Sequence, residues 1–204
     1  MAKETKNLEH YFAETPKSMP RYGLIRTYLR GRSFTFLTAS GVFSRERVDL
    51  GTRLLIESML LPDRGYVLDM GCGYGAIGIA AAVLNPRLYV ILVDVNARAV
   101  RLARQNLQKN CVGNAEVRKG RFYTPVREVK FDSVFMNPPI SAGMETVKKM
   151  ILEAPQHMIP HSVFQIVVKS KVGSKRLPNI LEEAFGNVEV LARKSGYRVL
   201  MSEN

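Results

Sequence analysis

The chain is short of the residues that tie a fold down covalently or hold a metal. Of its 204 residues, two are cysteine (Cys72, Cys111) and three are histidine (His10, His157, His161). Two cysteines cannot make a disulfide framework, and neither stands at a metal-ligand spacing from a second ligand. We expect no metal and read both as small packing residues. The histidines lie near no nucleophile and read as surface or satisfied residues. Long apolar runs are missing as well. The longest, AIGIAAAVL (76–84), is about half of the ~18 residues that span a bilayer. The opening MAKETKNLEH has no apolar signal-peptide core. Internal repeats and low-complexity tracts are absent. These absences lead to the expectation of a cytoplasmic globular domain with a short extension and no membrane partner.

Acidic residues are the remaining shortage: 18 Asp and Glu stand against 30 Lys and Arg, a net charge of +12. The isoelectric point near 9.9 favours a polyanionic partner, because binding phosphates releases condensed counterions. The excess is uneven. Lys17, Arg21, Arg26, Arg30, Arg32, Arg45, Arg47 and Arg53 are opposed in their stretch only by Glu46 and Asp49. A second group includes Lys169, Lys171, Lys175, Arg176, Arg193, Lys194 and Arg198. RNA is favoured, with DNA behind it.

What is present is alternation. From Tyr66, apolar strands at 66–70, 89–94, 115–119, 131–136 and 162–169 alternate with helical patterns at 76–84, 97–110, 143–156 and 177–185. Continuous apolar strands between helices imply a parallel sheet covered on both faces. Two closing strands, NVEVLAR (187–193) and YRVLMS (197–202), are joined by KSG and must include an antiparallel neighbour. The expected fold is α/β, a doubly wound, mostly parallel seven-stranded sheet with its last strand reversed. Residues 1–60 read as a basic accessory segment packed on a main domain of 61–204. Within the segment we expect a helix between Tyr11 and Arg32 around RYGLIRTYL, and a strand at SFTFLT (33–38). SGVFS (40–44) reads as a turn feeding another short strand, and DLGTRLLIESML (49–60) as a helix capped by Asp49.

Two motifs carry chemistry. VLDMGCGYGAIG joins the first strand of the main domain to its helix, and Gly71, Gly73 and Gly75 allow a tight turn with close backbone approach to a ligand. Asp69 can face a ligand amine there, and Asp94, ending the next strand, can accept from both ribose hydroxyls. NAD and S-adenosylmethionine both fit this much. FMNPPI (135–140) separates them. Prolines cannot continue a strand, so the Asn137 amide and the Pro138 carbonyl read as two fixed acceptors. A base's exocyclic amine is a poor nucleophile because its lone pair is delocalised. Two acceptors on its hydrogens favour the pyramidal nitrogen of the transition state. Hydride transfer needs no such device.

With these motifs, SGVFSRERVDLGTRLL (40–55), FGNVEV (185–190) and GYRVL (196–200) make the chain resemble class I S-adenosylmethionine-dependent amino-methyltransferases. Within them it is most similar to the RsmC-like ribosomal RNA guanine-N2 methyltransferases, short archaeal-type members in particular, from about Tyr11 to Ser202. The resemblance implies a Rossmann-like fold, S-adenosylmethionine as cofactor and RNA as partner. It implies that Asp69, Gly71, Cys72, Gly73, Gly75 and Val95 bind the cofactor, that Asp94 holds its ribose, and that Asn137, Pro138 and Pro139 hold the target amine. Asn137 would border the cofactor too. Ile140 stands where many relatives carry an aromatic that stacks on the base, a role left to Phe43 or Phe12. Phe43, Arg45, Arg32 and Lys169 are the expected RNA contacts. Arg121 stands where relatives carry an acid for adenine, so adenine is held by backbone groups alone or the alignment slips there. Open alternatives are transfer RNA, DNA adenine or cytosine, a protein glutamine, a non-catalytic RNA-binding protein of the same fold, and an NAD-dependent oxidoreductase. We expect a monomer or weak homodimer.

Overall fold

The computed structural model describes residues 19–170 and 176–204. A hairpin of β1 (Tyr22–Leu29) and β2 (Arg32–Ala39) comes first, followed by helix α1 (Leu50–Ser58). Then follow β3 (Gly65–Met70), α2 (Ala76–Leu84), β4 (Leu88–Asp94), α3 (Ala97–Lys109) and β5 (Ala115–Lys119). The second half runs β6 (Phe131–Met136), α4 (Met144–Glu153), β7 (Met158–Lys169), α5 (Arg176–Phe185), β8 (Glu189–Lys194) and β9 (Tyr197–Glu203).

The seven later strands form one sheet in the order β5-β4-β3-β6-β7-β9-β8. β9 runs antiparallel to both of its neighbours, β7 and β8, while the other neighbouring pairs are parallel. From β3 the chain winds outward through β4 and β5, then crosses back to β6 on the other side of β3, which puts a topological switch point between β3 and β6. Both faces are covered. One apolar core lies against the hairpin and α1 to α3, and the other against α4 and α5. The middle of β4 is therefore a continuous apolar run: Val90, Ile91, Leu92 and Val93 are all buried.

The stretch RYGLIRTYL is strand β1, not the expected helix. Ile25 and Leu29 are its buried residues, and an i, i+4 pair shares a face in a strand as well as in a helix. Pairing decides between the two. β1 is hydrogen-bonded to β2 from Tyr22↔Ala39 to Leu29↔Arg32, and the turn residues Arg30 and Gly31 have φ of 42° and 78°, as a tight two-residue hairpin requires. The part of that expectation from Tyr11 to Ser18 lies outside the described residues, as do Phe12, Lys17, Lys171 and Lys175. The short strand expected after SGVFS does not form; residues 40–48 are turns and bends.

The hairpin is anchored on α3 by asparagines. Asn106 accepts from Leu37 N at 2.7 Å and donates to Leu37 O at 2.9 Å, and Asn110 does the same for Thr35 at 3.0 and 2.9 Å. Four helical residues rise about 6 Å and two strand residues about 6.7 Å, so the two ladders match. The helix thereby satisfies the outer edge of β2.

Candidate active site

β3, β4 and β6 end side by side, with Met70 paired to both Val93 and Met136. The glycine turn, Asp94 and Asn137 leave the sheet at these adjoining ends. Gly71 N and Cys72 N donate to Val93 O at 2.8 and 3.0 Å, and Gly73 N donates to Asp94 Oδ2 at 2.8 Å. Asn96 N donates to Asp94 Oδ1 at 2.8 Å, while the Asn96 side chain caps α3. The three glycines do different work. A Cβ on Gly71 or Gly73 would meet nothing within 4 Å, whereas one on Gly75 would lie 3.0 Å from Ile79 Cδ1. The first two face open space and the third is packed inward.

Asp69 is buried under this turn. Its Oδ2 accepts from Gly78 N at 2.8 Å, and its Oδ1 has no partner. Burial pushes its carboxyl up to about 7 despite the Gly78 bond, with the Asp94 charge adding to the rise. Burial also raises Asp94, against the amide bonds of Asn96, Gly73 and Val95. The Cys72 thiol is pushed well up by burial and by both carboxylates, so it stays protonated.

A cavity of about 410 Å³ opens over the switch point, with Gly71, Asp94, Val95, Arg121, Phe122 and Pro139 in its wall. Gly120 N bonds Asp94 O at 3.0 Å, so the segment after β5 reaches the cavity with Arg121 in place. The Arg121 guanidinium lies 4.9 Å and Lys149 Nζ 5.5 Å from the Phe122 ring centre. An aromatic thus stands on this side of the cavity, where the lining residues Gly120, Arg121 and Phe122 include no acid. The groups present suit S-adenosylmethionine. Asp94 in the wall, with Asp69 and its unpartnered oxygen buried beneath the turn, complements a cation, and open Gly71 with apolar Val95 suits an adenosine.

A smaller recess lies alongside, lined by Phe43, Thr52, Cys72, Gly73, Tyr74 and Asn137 among others. Phe43 is 39% exposed there. The Asn137 amide nitrogen donates to Thr52 Oγ1 at 2.8 Å and to Asp49 Oδ2 at 3.2 Å. Asp49 also caps α1 through Thr52 N at 2.9 Å, and its Oδ1 accepts from the Tyr197 hydroxyl at 3.1 Å. Burial, then the Asp49 charge and this bond, raise the Tyr197 phenol. A Cβ on Gly51 would lie 2.7 Å from the Tyr197 ring, so only glycine lets the ring reach Asp49. Sequence reasoning saw Asp49 as a helix cap alone and did not single out Thr52 or Tyr197. The signal was there in the resemblance, whose stretches VDLGT, NPPI and GYRVL meet at this point.

The Pro138 carbonyl is not a wholly free acceptor. It takes the Ile140 N–H at 2.9 Å in an inverse γ-turn centred on Pro139, with φ −76° and ψ 76°. Ile140 packs against the α4 side of the core. Lys169 Nζ sits 5.9 Å from the Tyr197 ring centre, near the asparagine network. The Arg45 side chain is exposed on the loop that carries Phe43. Arg32 lies at the hairpin tip, the far end of β2 from this loop, roughly 23 Å along the strand.

The topology, with the reversed strand and the cavity at the switch point, is that of a class I methyltransferase. Residues 33–201 match the methyltransferase small domain family, and the chain belongs to it; its members use S-adenosylmethionine. Among curated relatives, the chain is 35% identical over 197 residues to the uncharacterized protein YbxB of Bacillus subtilis (strain 168), covering 96% of this chain and 98% of that one. It is 34% identical over 169 residues to the ribosomal RNA small subunit methyltransferase C of Escherichia coli O9:H4 (strain HS), covering 81% of this chain but 48% of that one. The chain therefore spans about half the length of the RsmC relatives it matches. Among solved structures, the T. thermophilus 16S rRNA N2 methyltransferase RsmC, in complex with AdoMet and guanosine, superposes with a TM-score of 0.81 at 26% identity. That superposition covers 92% of this chain and 52% of the other. Among the described residues no helix is long and apolar enough to cross a membrane, and no group of three or more His, Cys, Asp or Glu could hold a metal ion.

Proposed function

We propose that this chain methylates the exocyclic N2 amine of a guanine in RNA, with small-subunit ribosomal RNA as the substrate and the cytoplasm as its place of work. The observation that carries this reading is the Asn137 amide, anchored through its nitrogen so that its oxygen is left to accept, beside a cavity suited to adenosine. S-adenosylmethionine bound there supplies an electrophilic methyl carbon on a sulfonium. The protein's part is positioning. Asp94 holds the ribose, the open faces of Gly71 and Gly73 admit the cofactor backbone, and Asp69 pairs with its ammonium. Asn137 Oδ1 and the remaining lone pair of Pro138 O accept from the two hydrogens of the amine, which favours a pyramidal nitrogen. Phe43 offers the flat face that Ile140 does not. No protein base is needed, because the methylated amine is more acidic than its precursor and solvent can take the proton.

RNA is supported by a net-basic groove of about 390 Å³ along β1, lined by Arg26, Arg47 and Arg53 against Glu46, with Leu24 and Leu50. Tyr22 and Tyr28 stand beside it, 61% and 64% exposed. Cations with exposed rings suit a single-stranded segment, which binds through phosphates and stacking. Leu50, in this groove, adjoins Asp49, which bonds Asn137, so groove and recess flank the start of α1.

The test offers radiolabelled S-adenosylmethionine with ribosomal RNA, isolated small subunits and transfer RNA, and identifies the labelled nucleoside. We expect N2-methylguanosine in small-subunit RNA. Label confined to transfer RNA, or none in any RNA, would overturn the reading. Asn137→Ala should cut turnover roughly 100- to 1,000-fold, leaving a residual rate that single-turnover label transfer can follow, while cofactor affinity by calorimetry stays near wild type. Phe43→Ala should raise the KM for RNA, and unchanged kinetics would remove Phe43 from the site.

A further inference from the structure

Asn137 is useful only if its oxygen, not its nitrogen, faces the target amine. The two ends of an amide are nearly equal in size, so the pocket's shape does not choose between them. Asp49 does. Its carboxylate can only accept, and it lies 3.2 Å from the amide nitrogen, so the NH₂ end must turn towards α1. Thr52 Oγ1, at 2.8 Å, reinforces that choice but could equally donate, so it does not select by itself. Asp49 is in turn held at both oxygens. Oδ2 takes the Thr52 amide at 2.9 Å, and Oδ1 takes the Tyr197 hydroxyl at 3.1 Å.

We propose that Asp49, braced by Tyr197, is the positioning residue that fixes the Asn137 amide with its oxygen towards the substrate and strengthens that oxygen as an acceptor. A hydrogen bond from an amide N–H to an anion shifts electron density towards the amide oxygen, because linked hydrogen bonds polarise one another. The line runs from the Tyr197 hydroxyl through the Asp49 carboxylate and the Asn137 amide to the amine being methylated. The inference rests on the methyltransferase reading above and extends it to a group that touches neither substrate nor cofactor.

Asp49→Asn tests it with little risk to the fold, since asparagine is as good a helix cap as aspartate. The new side chain can offer an N–H to Asn137 and let the amide reverse. We expect kcat to fall roughly 10- to 100-fold, the scale of one charge-assisted hydrogen bond, with cofactor Kd and melting temperature near wild type. Tyr197→Phe, which removes one brace, should lower kcat roughly three- to tenfold. A double-mutant cycle separates positioning from mere packing. In an Asn137→Ala background, followed by single-turnover label transfer, Asp49→Asn should change the rate by less than about twofold. The ¹⁵N side-chain resonance of Asn137, assigned by its loss in Asn137→Ala, should move in Asp49→Asn as the anionic acceptor disappears. Wild-type kcat in Asp49→Asn, or an equal loss in both backgrounds, would overturn the positioning role while leaving the functional reading intact. Full turnover in Asn137→Ala alone would instead sink the functional reading and the positioning role with it.

Discussion

Asp69 holds a carboxyl oxygen with no partner in a position that is 1% exposed. A buried carboxyl favours its neutral form, and here burial raises the pKa from 3.8 to about 7. An acid whose folded-state pKa lies above its unfolded value stabilises the fold fully below the unfolded value. That stability is lost as pH rises from about 4 to about 7, where Asp69 ionises in the folded state. On the proposed pairing of the ionised form with the cofactor ammonium, cofactor binding should run the other way. Melting of the free protein should therefore fall as pH rises across this window, while S-adenosylmethionine affinity climbs through pH 7. Asp69→Asn should flatten both trends, and calorimetry at pH 6 and pH 8 checks them. Asp69, the glycines and Asn137 were legible from the chain because each sits in a short motif whose chemistry is local. Asp49 was legible only as a cap. Its bonds to Asn137 and Tyr197 span 88 and 148 residues, and no local pattern records them.

At the scale of elements, the hairpin depends on α3 as well as on its own two strands. A two-stranded ribbon is marginal by itself, and its outer edge is completed by side chains. Asn106 is fully buried and bonds Leu37 N, Leu37 O and Tyr74 O. Asn106→Leu would strand these backbone groups at a cost of roughly 2–4 kcal/mol. For a chain of this size that is a fall of roughly 4–16 °C in melting temperature, measurable by calorimetry. Hydrogen exchange should show β2 losing protection ahead of the main sheet. The strands and helices of the main sheet were readable because burial on both faces makes their apolar runs continuous. β1 was misread because its buried residues stand four apart, a spacing that strand and helix share. Its tight Arg30-Gly31 turn and its partner strand settle the matter.

For the whole molecule, the +12 charge becomes meaningful once the fold sorts it. Arg26, Arg47 and Arg53 gather along one groove, whereas Arg32 stands at the hairpin tip. Arg53 is tied to Tyr28 O and Thr27 Oγ1, which leaves Arg26 and Arg47 as the side chains to test. The plot of log binding constant against log salt for a single-stranded RNA should lose about one unit of slope for each of Arg26→Ala and Arg47→Ala. Cofactor affinity should not change, and an unaltered slope would move the RNA path elsewhere. The sequence by itself determined the layering, the reversed last strand, the glycine turn after β3 and the rigid asparagine-proline turn after β6, since each follows from periodicity or from residues within a few positions of one another. Only the tertiary structure decided which way the Asn137 amide faces, which glycines face open space and where the arginines gather. Those depend on side chains brought together from distant parts of the chain, and a linear pattern carries no record of who will be neighbours.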